Sequence, residues 1–231
     1  MRRIELSGRQ WATLGAATLV AVLVAASSWR THRPPPTSPD GLAWIAELRL
    51  IPQVPDRVKR KDYERTMFGA AWTDEVDAIG GRNGCDTRND ILDRDLTDKT
   101  YAAVRSCPRA VATGDLRSPY TGDFVSFRRG AQTGAQVQID HIVPLAYAWD
   151  MGAALWDRAE RERFANDPAN LLAVDGDSNQ DKGDQEPARW MPPNRGIGCQ
   201  YAVQFVVVTK TYGLYLDRPS AVVLDRALRR C

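Results

Sequence analysis

The chain has 231 residues, 43% of them apolar and 26% charged, enough for one domain with its own core and a tail, which excludes a mini-protein and a disordered chain. Its 31 basic and 29 acidic residues are unevenly placed: the first 39 residues hold five arginines and one glutamate, leaving 26 basic against 28 acidic side chains beyond them, a net of −2. The folded part is therefore not a basic protein, and any affinity for nucleic acid must come from particular residues.

In chain order, residues 10–29 carry no charge and follow Arg2, Arg3 and Arg9. Segment 1–29 reads as a signal peptide, with small residues for cleavage at Val24-Ala25-Ala26-Ser27, or as an N-terminal membrane anchor, whose length barely reaches the roughly 20 apolar residues a span requires. With the arginines kept inside, both readings place the domain outside the cytoplasm, secreted or anchored, and the membrane is a partner only if the segment stays uncleaved. Residues 30–40, with Pro34-Pro35-Pro36 and Pro39, form a stiff spacer, and the domain occupies 41–231.

Within the domain, periodicity predicts short helices over 42–50, 63–72 and 87–96. Three short segments rich in Val, Ala and aromatics, 101–106, 110–116 and 123–127, are predicted as strands of a small antiparallel sheet. A strand over 136–142 is stopped by Pro144, a helix follows over 156–164, and a strand over 170–174 runs into Asp175-Gly176-Asp177, which caps a helix starting near Ser178. Trp149, Trp156 and Trp190 read as core. Two helices, 199–212 and 219–230, turn at Gly213. The fold class expected is α+β.

Four cysteines stand at 85, 107, 199 and 231, none in a CxxC spacing, and an even number in an exported chain points to disulfides. Two helices of similar length joined by a short turn pack antiparallel, so the first residue of one lies beside the last of the other. This favours Cys199 with Cys231 and leaves Cys85 with Cys107.

Only two histidines exist, His32 in the spacer and His141 in the domain, so chemistry needing imidazole falls to His141. It follows Asp140 at a predicted strand end, and since neighbours in a strand point to opposite faces, the two share a site only if the strand stops there.

Asp140-His141-Ile142-Val143-Pro144, then Asn170-Leu171-Leu172, then Ser178-Asn179 with Lys182-Gly183-Asp184 resemble the HNH endonucleases. Gly84-Cys85-Asp86-Thr87-Arg88, Pro119-Tyr120-Thr121-Gly122, Phe164-Ala165-Asn166-Asp167-Pro168 and Trp190 with Pro192-Pro193-Asn194 extend the likeness over about 60–231, to an exported bacterial branch with a GmrSD-type C-terminal nuclease domain. The resemblance implies a ββα-metal (HNH/His-Me finger) core at about 136–185, followed by a helical hairpin at 199–231. It makes His141 the general base, Asp140 and Asn179 the ligands of one divalent metal ion, Asn170 the tie of the loop that orients His141, and Lys182 a catalytic-site cation that meets phosphate. Oxygen donors favour Mg²⁺ or Mn²⁺ over Zn²⁺. Arg88 and Arg128 are candidate contacts to the backbone of a bound strand, with Arg129 beside them.

The function expected is an exported, metal-dependent endonuclease hydrolysing phosphodiester bonds in DNA with little sequence preference, RNA being a further substrate class and no protein partner being indicated. Two other readings are a catalytically inactive nucleic-acid-binding module of the same fold, and a metal-dependent hydrolase of another envelope substrate.

Overall fold

The computed structural model describes residues 39–130 and 134–231. The leader and most of the spacer lie outside the described residues, and among those described no helix is long and apolar enough to cross a membrane.

Helix α1 (Pro39–Leu50) buries Ile45 and Leu48 and leads to β1 (Gln53–Val54). The chain then runs irregularly to a 3₁₀ turn at Arg65–Phe68, where the sequence pattern predicts a helix over 63–72. Continuation fails because Gly69 takes φ +83° and Trp72 φ +57°, both left-handed. Gly69 also leaves room for the Glu162 side chain, which a Cβ would meet at 2.4 Å.

Helix α2 (Thr87–Asp95) is capped by the Asp86 carboxylate, which accepts from the Asn89 amide. Strands β2 (Thr97–Val104), β3 (Cys107–Arg117) and β4 (Phe124–Arg128) form the expected antiparallel sheet in that order. Strand β5 (Val137–His141) pairs antiparallel with β6 (Leu171–Asp175), from Val137 opposite Asp175 to His141 opposite Leu171.

Between these two strands lie α3 (Leu145–Asp150) and α4 (Arg158–Asn166). Helix α3 escaped prediction; Pro144 ends the strand and at the same time starts this helix, its fixed φ suiting the cap position. Helix α5 (Gly176–Lys182) begins directly after β6, because the Asp175 carboxylate caps it by accepting from the Ser178 amide. The hairpin followed by this helix is the expected ββα arrangement.

Helices α6 (Gly198–Thr211) and α7 (Arg218–Leu228) close the chain, with β7 (Leu216–Asp217) between them lying parallel to β1. Both expected disulfides are present, Cys85 with Cys107 and Cys199 with Cys231, at Cα separations of 4.1 and 5.3 Å.

Apolar burial divides into two clusters. The larger gathers α1, α3, α4, α6 and α7 and includes Trp149 and Trp190, with Trp156 packed against it, so the tryptophans are core as expected. The smaller joins Ile91 and Leu92 of α2 and Val111 and Phe127 of the sheet to Val137, Ile139, Leu171 and Ala173 of the β5–β6 hairpin. Val174 belongs to the larger cluster, so the hairpin is wedged between the two.

Candidate active site

His141 is the last residue of β5 and both it and Asp140 remain in the ladder, opposite Leu171 and Leu172. They therefore sit on opposite faces of the hairpin. A cleft of about 390 Å³ at the strand end nevertheless reaches both, lined also by Tyr63, Arg65, Asn179 and Asp184.

On the face toward α5, Asp140 is buried and doubly held. Lys182 Nζ donates to Asp140 Oδ1 at 2.9 Å and to the His141 carbonyl oxygen at 2.8 Å, and the Tyr120 hydroxyl donates to Asp140 Oδ2 in a short bond. Lys182 is 0% exposed, so it does not reach a substrate phosphate; the expected phosphate contact is replaced by a buried ion pair. Burial lowers the proton affinity of Lys182 and the Asp140 carboxylate opposes that loss. Burial raises that of Tyr120, with the charge of Asp140 adding to it, so the phenol stays a donor.

On the other face His141 is also buried, its ring stacked on Trp72 at 5.4 Å between centroids and 11° between planes. Its Nε2 lies 2.9 Å from the Ala165 carbonyl oxygen at the end of α4. A carbonyl only accepts, so Nε2 carries the proton and Nδ1 keeps the lone pair. Burial pushes the imidazole down to a pKa of about 3, against the bond to Ala165 and with the positive charges of Arg65 and Lys182, so the ring is neutral at physiological pH.

Asn170 is 0% exposed; its Oδ1 accepts from the Val143 amide at 2.8 Å and its Nδ2 donates to the Val143 carbonyl at 3.2 Å. Both bonds fix the chain two residues after His141. Asn179, half-buried on α5, donates through Nδ2 to Gln138 Oε1 at 2.8 Å, which leaves Oδ1 without a protein partner among the described residues.

The donor set for a cation is sparse. Among the described residues no group of three or more His, Cys, Asp or Glu side chains converges on one point. Asp140 Oδ1 retains a lone pair beyond its bond to Lys182, whereas Oδ2 meets both Tyr120 and Lys182, and Asn179 supplies an amide oxygen. Such a set fits an ion of the Mg²⁺ type, which keeps several waters and relies on few protein oxygens plus substrate phosphate.

Arg88 and Arg128 are not brought to the cleft. One terminal nitrogen of Arg88 donates to the Gly134 and Val137 carbonyls at 3.0 Å each, holding the start of β5 rather than a substrate. Arg128 lies on β4 opposite Thr113, and Arg129 donates to Val111 O and Asn89 Oδ1. Sequence reasoning passed over Tyr120, Trp72, Arg65 and the Ala165 carbonyl. Tyr120 lay within a quoted motif and carried a signal; a backbone carbonyl carries none.

The family match gives the class of protein, a nuclease domain, whose ββα unit here carries a buried histidine, a buried carboxylate and a half-buried amide beside one cleft. The chain belongs to the family of GmrSD restriction endonucleases, C-terminal domain, which it matches over residues 86–216, a stretch including Asp140, His141, Asn170, Asn179 and Lys182. It is similar to a curated protein of Arthroderma benhamiae named as an uncharacterized secreted protein, 34% identical over 222 residues, covering 93% of this chain and 98% of the relative. That relative is fungal, so the comparisons do not tie the chain to the bacterial branch expected from the sequence. No solved structure matches the chain.

Proposed function

We propose that the chain is an exported, metal-dependent endonuclease that hydrolyses DNA phosphodiesters with little sequence preference. The observation that carries this reading is the tautomer of His141: the bond to Ala165 O leaves Nδ1 unprotonated in a residue that lines the same cleft as Asp140 and Asn179.

His141 Nδ1 takes the proton from the attacking water, and the Ala165 carbonyl holds the ring and accepts the Nε2 proton throughout. Asp140 and Asn179 Oδ1 would hold one Mg²⁺ or Mn²⁺ ion. Such an ion would supply charge stabilisation at the phosphorus and the leaving oxygen. Tyr120 and Lys182 hold the Asp140 carboxylate in place, and Asn170 fixes the segment through which His141 leaves the strand. Because Lys182 offsets the charge of Asp140, the protein side chains alone would hold a cation weakly, and substrate phosphate would strengthen the hold.

Export is supported by the secreted relative and by two disulfides, which persist in oxidising compartments. Incubation of the purified protein with plasmid and Mg²⁺ or Mn²⁺ is expected to give cleavage that EDTA abolishes and that His141→Ala slows by about 10²- to 10⁴-fold. Plasmid left intact with every divalent ion would overturn the nuclease reading; undiminished cutting by the alanine variant would remove His141 from its role.

A further inference from the structure

Arg65 is a cation in the cleft for which the site described so far has no use. It is exposed on the 3₁₀ turn and lines both the 390 Å³ cleft and the adjoining hollow of about 260 Å³ beside Trp72 and Ala165, two spaces that meet at His141. Three neighbouring cations on the same segment are paired, Arg57 with Asp150 and Glu186, Lys59 with Asp184, and Arg60 with Asp62, and the exposed Lys61 lines neither space. Among the described residues Arg65 has neither a carboxylate nor a carbonyl partner.

The other charges of the cleft wall are offset. Asp140 is neutralised by Lys182, and Asp184 is held by both Lys59 and Arg57. What remains uncompensated beside His141 is one guanidinium, a planar fork of donors whose geometry matches two oxygens of a phosphate.

The backbone beneath it is anchored. Phe68 is buried against Trp149 and Phe164 with ring centroids 6.1 and 6.0 Å apart, and Arg161 Nε donates to the Met67 carbonyl at 2.9 Å. The charged tip therefore stands on a fixed backbone at the cleft rim, outside the 86–216 stretch of the family match.

We propose that Arg65 is the phosphate-binding residue of this cleft, its guanidinium grasping the non-bridging oxygens of the phosphodiester that lies next to His141. The assignment rests on the nuclease reading for its consequence in turnover, but not for its consequence in binding. Because the folded part is acidic as a whole, one local contact of this kind carries an unusual share of the affinity.

The test uses the full-length protein, Arg65→Ala and Arg65→Lys, with Arg226→Ala on α7 as an exposed charge control. Binding of a fluorescent DNA duplex is followed by anisotropy in EDTA over a salt series, and plasmid cleavage is followed in parallel with Mg²⁺. Arg65→Ala is expected to weaken binding and raise KM by about 10- to 100-fold. It should also flatten the slope of log K against log salt by about 0.9, one phosphate contact, with Arg65→Lys between and Arg226→Ala unchanged. Melting of Arg65→Ala at the wild-type temperature shows that folding is intact. Equal binding and cleavage by wild type and Arg65→Ala would overturn the assignment and leave the nuclease reading standing. An intact plasmid under every ion, with binding still dependent on Arg65, would do the reverse.

Discussion

The motif residues act mostly on one another. Thr87 of the Cys85-Asp86-Thr87-Arg88 run donates to Asn166 Oδ1 of the Phe164–Pro168 run at 2.9 Å. Asn194, after the paired prolines, donates its backbone amide to the Tyr120 carbonyl and its side-chain amide to the Pro119 carbonyl. Asn170 is the sharpest case, since both its bonds go to the buried backbone of Val143. Asn170→Ala leaves that amide and that carbonyl unpaired, a loss of roughly 1–3 kcal/mol for each. Urea unfolding is expected to show a lower midpoint at unchanged slope, and an unchanged midpoint would mean that the clamp contributes nothing to stability. The resemblance to the HNH endonucleases, read from the order and spacing of the motifs, was enough to associate Asp140, His141, Asn170 and Asn179. It was not enough to see that Lys182 is turned inward onto Asp140, since exposure is decided by packing between α5 and β5 and leaves no trace in composition.

The segment around the 3₁₀ turn is where periodicity misled. Tyr63, Met67 and Phe68 stand at helical spacing, yet Tyr63 and Phe68 reach Trp149 from an irregular chain, with centroids 6.3 and 6.1 Å away. Gly69 permits this by turning left-handed above Glu162. Gly69→Ala is therefore expected to cost about 1–3 kcal/mol for the combination of positive φ and extended ψ alone. Glu162 must also be displaced, and with it the turn that presents Arg65 and Trp72. Cleavage should fall by more than the loss of folded protein explains, read as turnover at a temperature well below the melting transition. A melting temperature equal to wild type would show that residue 69 does not need its glycine. Elsewhere the elements were legible because side chains that cap or pair are local: Asp86, Asp157, Asp175 and Asp217 each accept from an amide three residues on, and the helices start where those caps stand.

Across the whole molecule the cleft sits where the β5–β6 hairpin is wedged between two apolar clusters, and each cluster has its own disulfide. Cys199–Cys231 closes a 32-residue separation over the α6–α7 hairpin of the larger cluster, and Cys85–Cys107 a 22-residue separation beside the smaller one. On the chain-entropy model each bridge contributes about 3 to 4 kcal/mol, a large part of the 5–15 kcal/mol, in order of magnitude, that holds a domain folded. The two losses should differ in function even where they match in stability. Cys85 precedes the Asp86 cap of α2, and α2 carries Arg88, which holds the Gly134 and Val137 carbonyls at the start of the strand that ends in His141. Replacing Cys85 and Cys107 by alanine thus loosens a chain of contacts that reaches the site, whereas replacing Cys199 and Cys231 loosens the far end of α6 and α7. Both double variants are expected to melt at lower temperature than wild type. Assayed well below its own transition, the Cys199/Cys231 variant should cleave at close to the wild-type rate while the Cys85/Cys107 variant is slower. Equal rates in the two would show that the smaller cluster holds β5 without help from the bridge, and that Arg88 needs only its own helix to reach the strand.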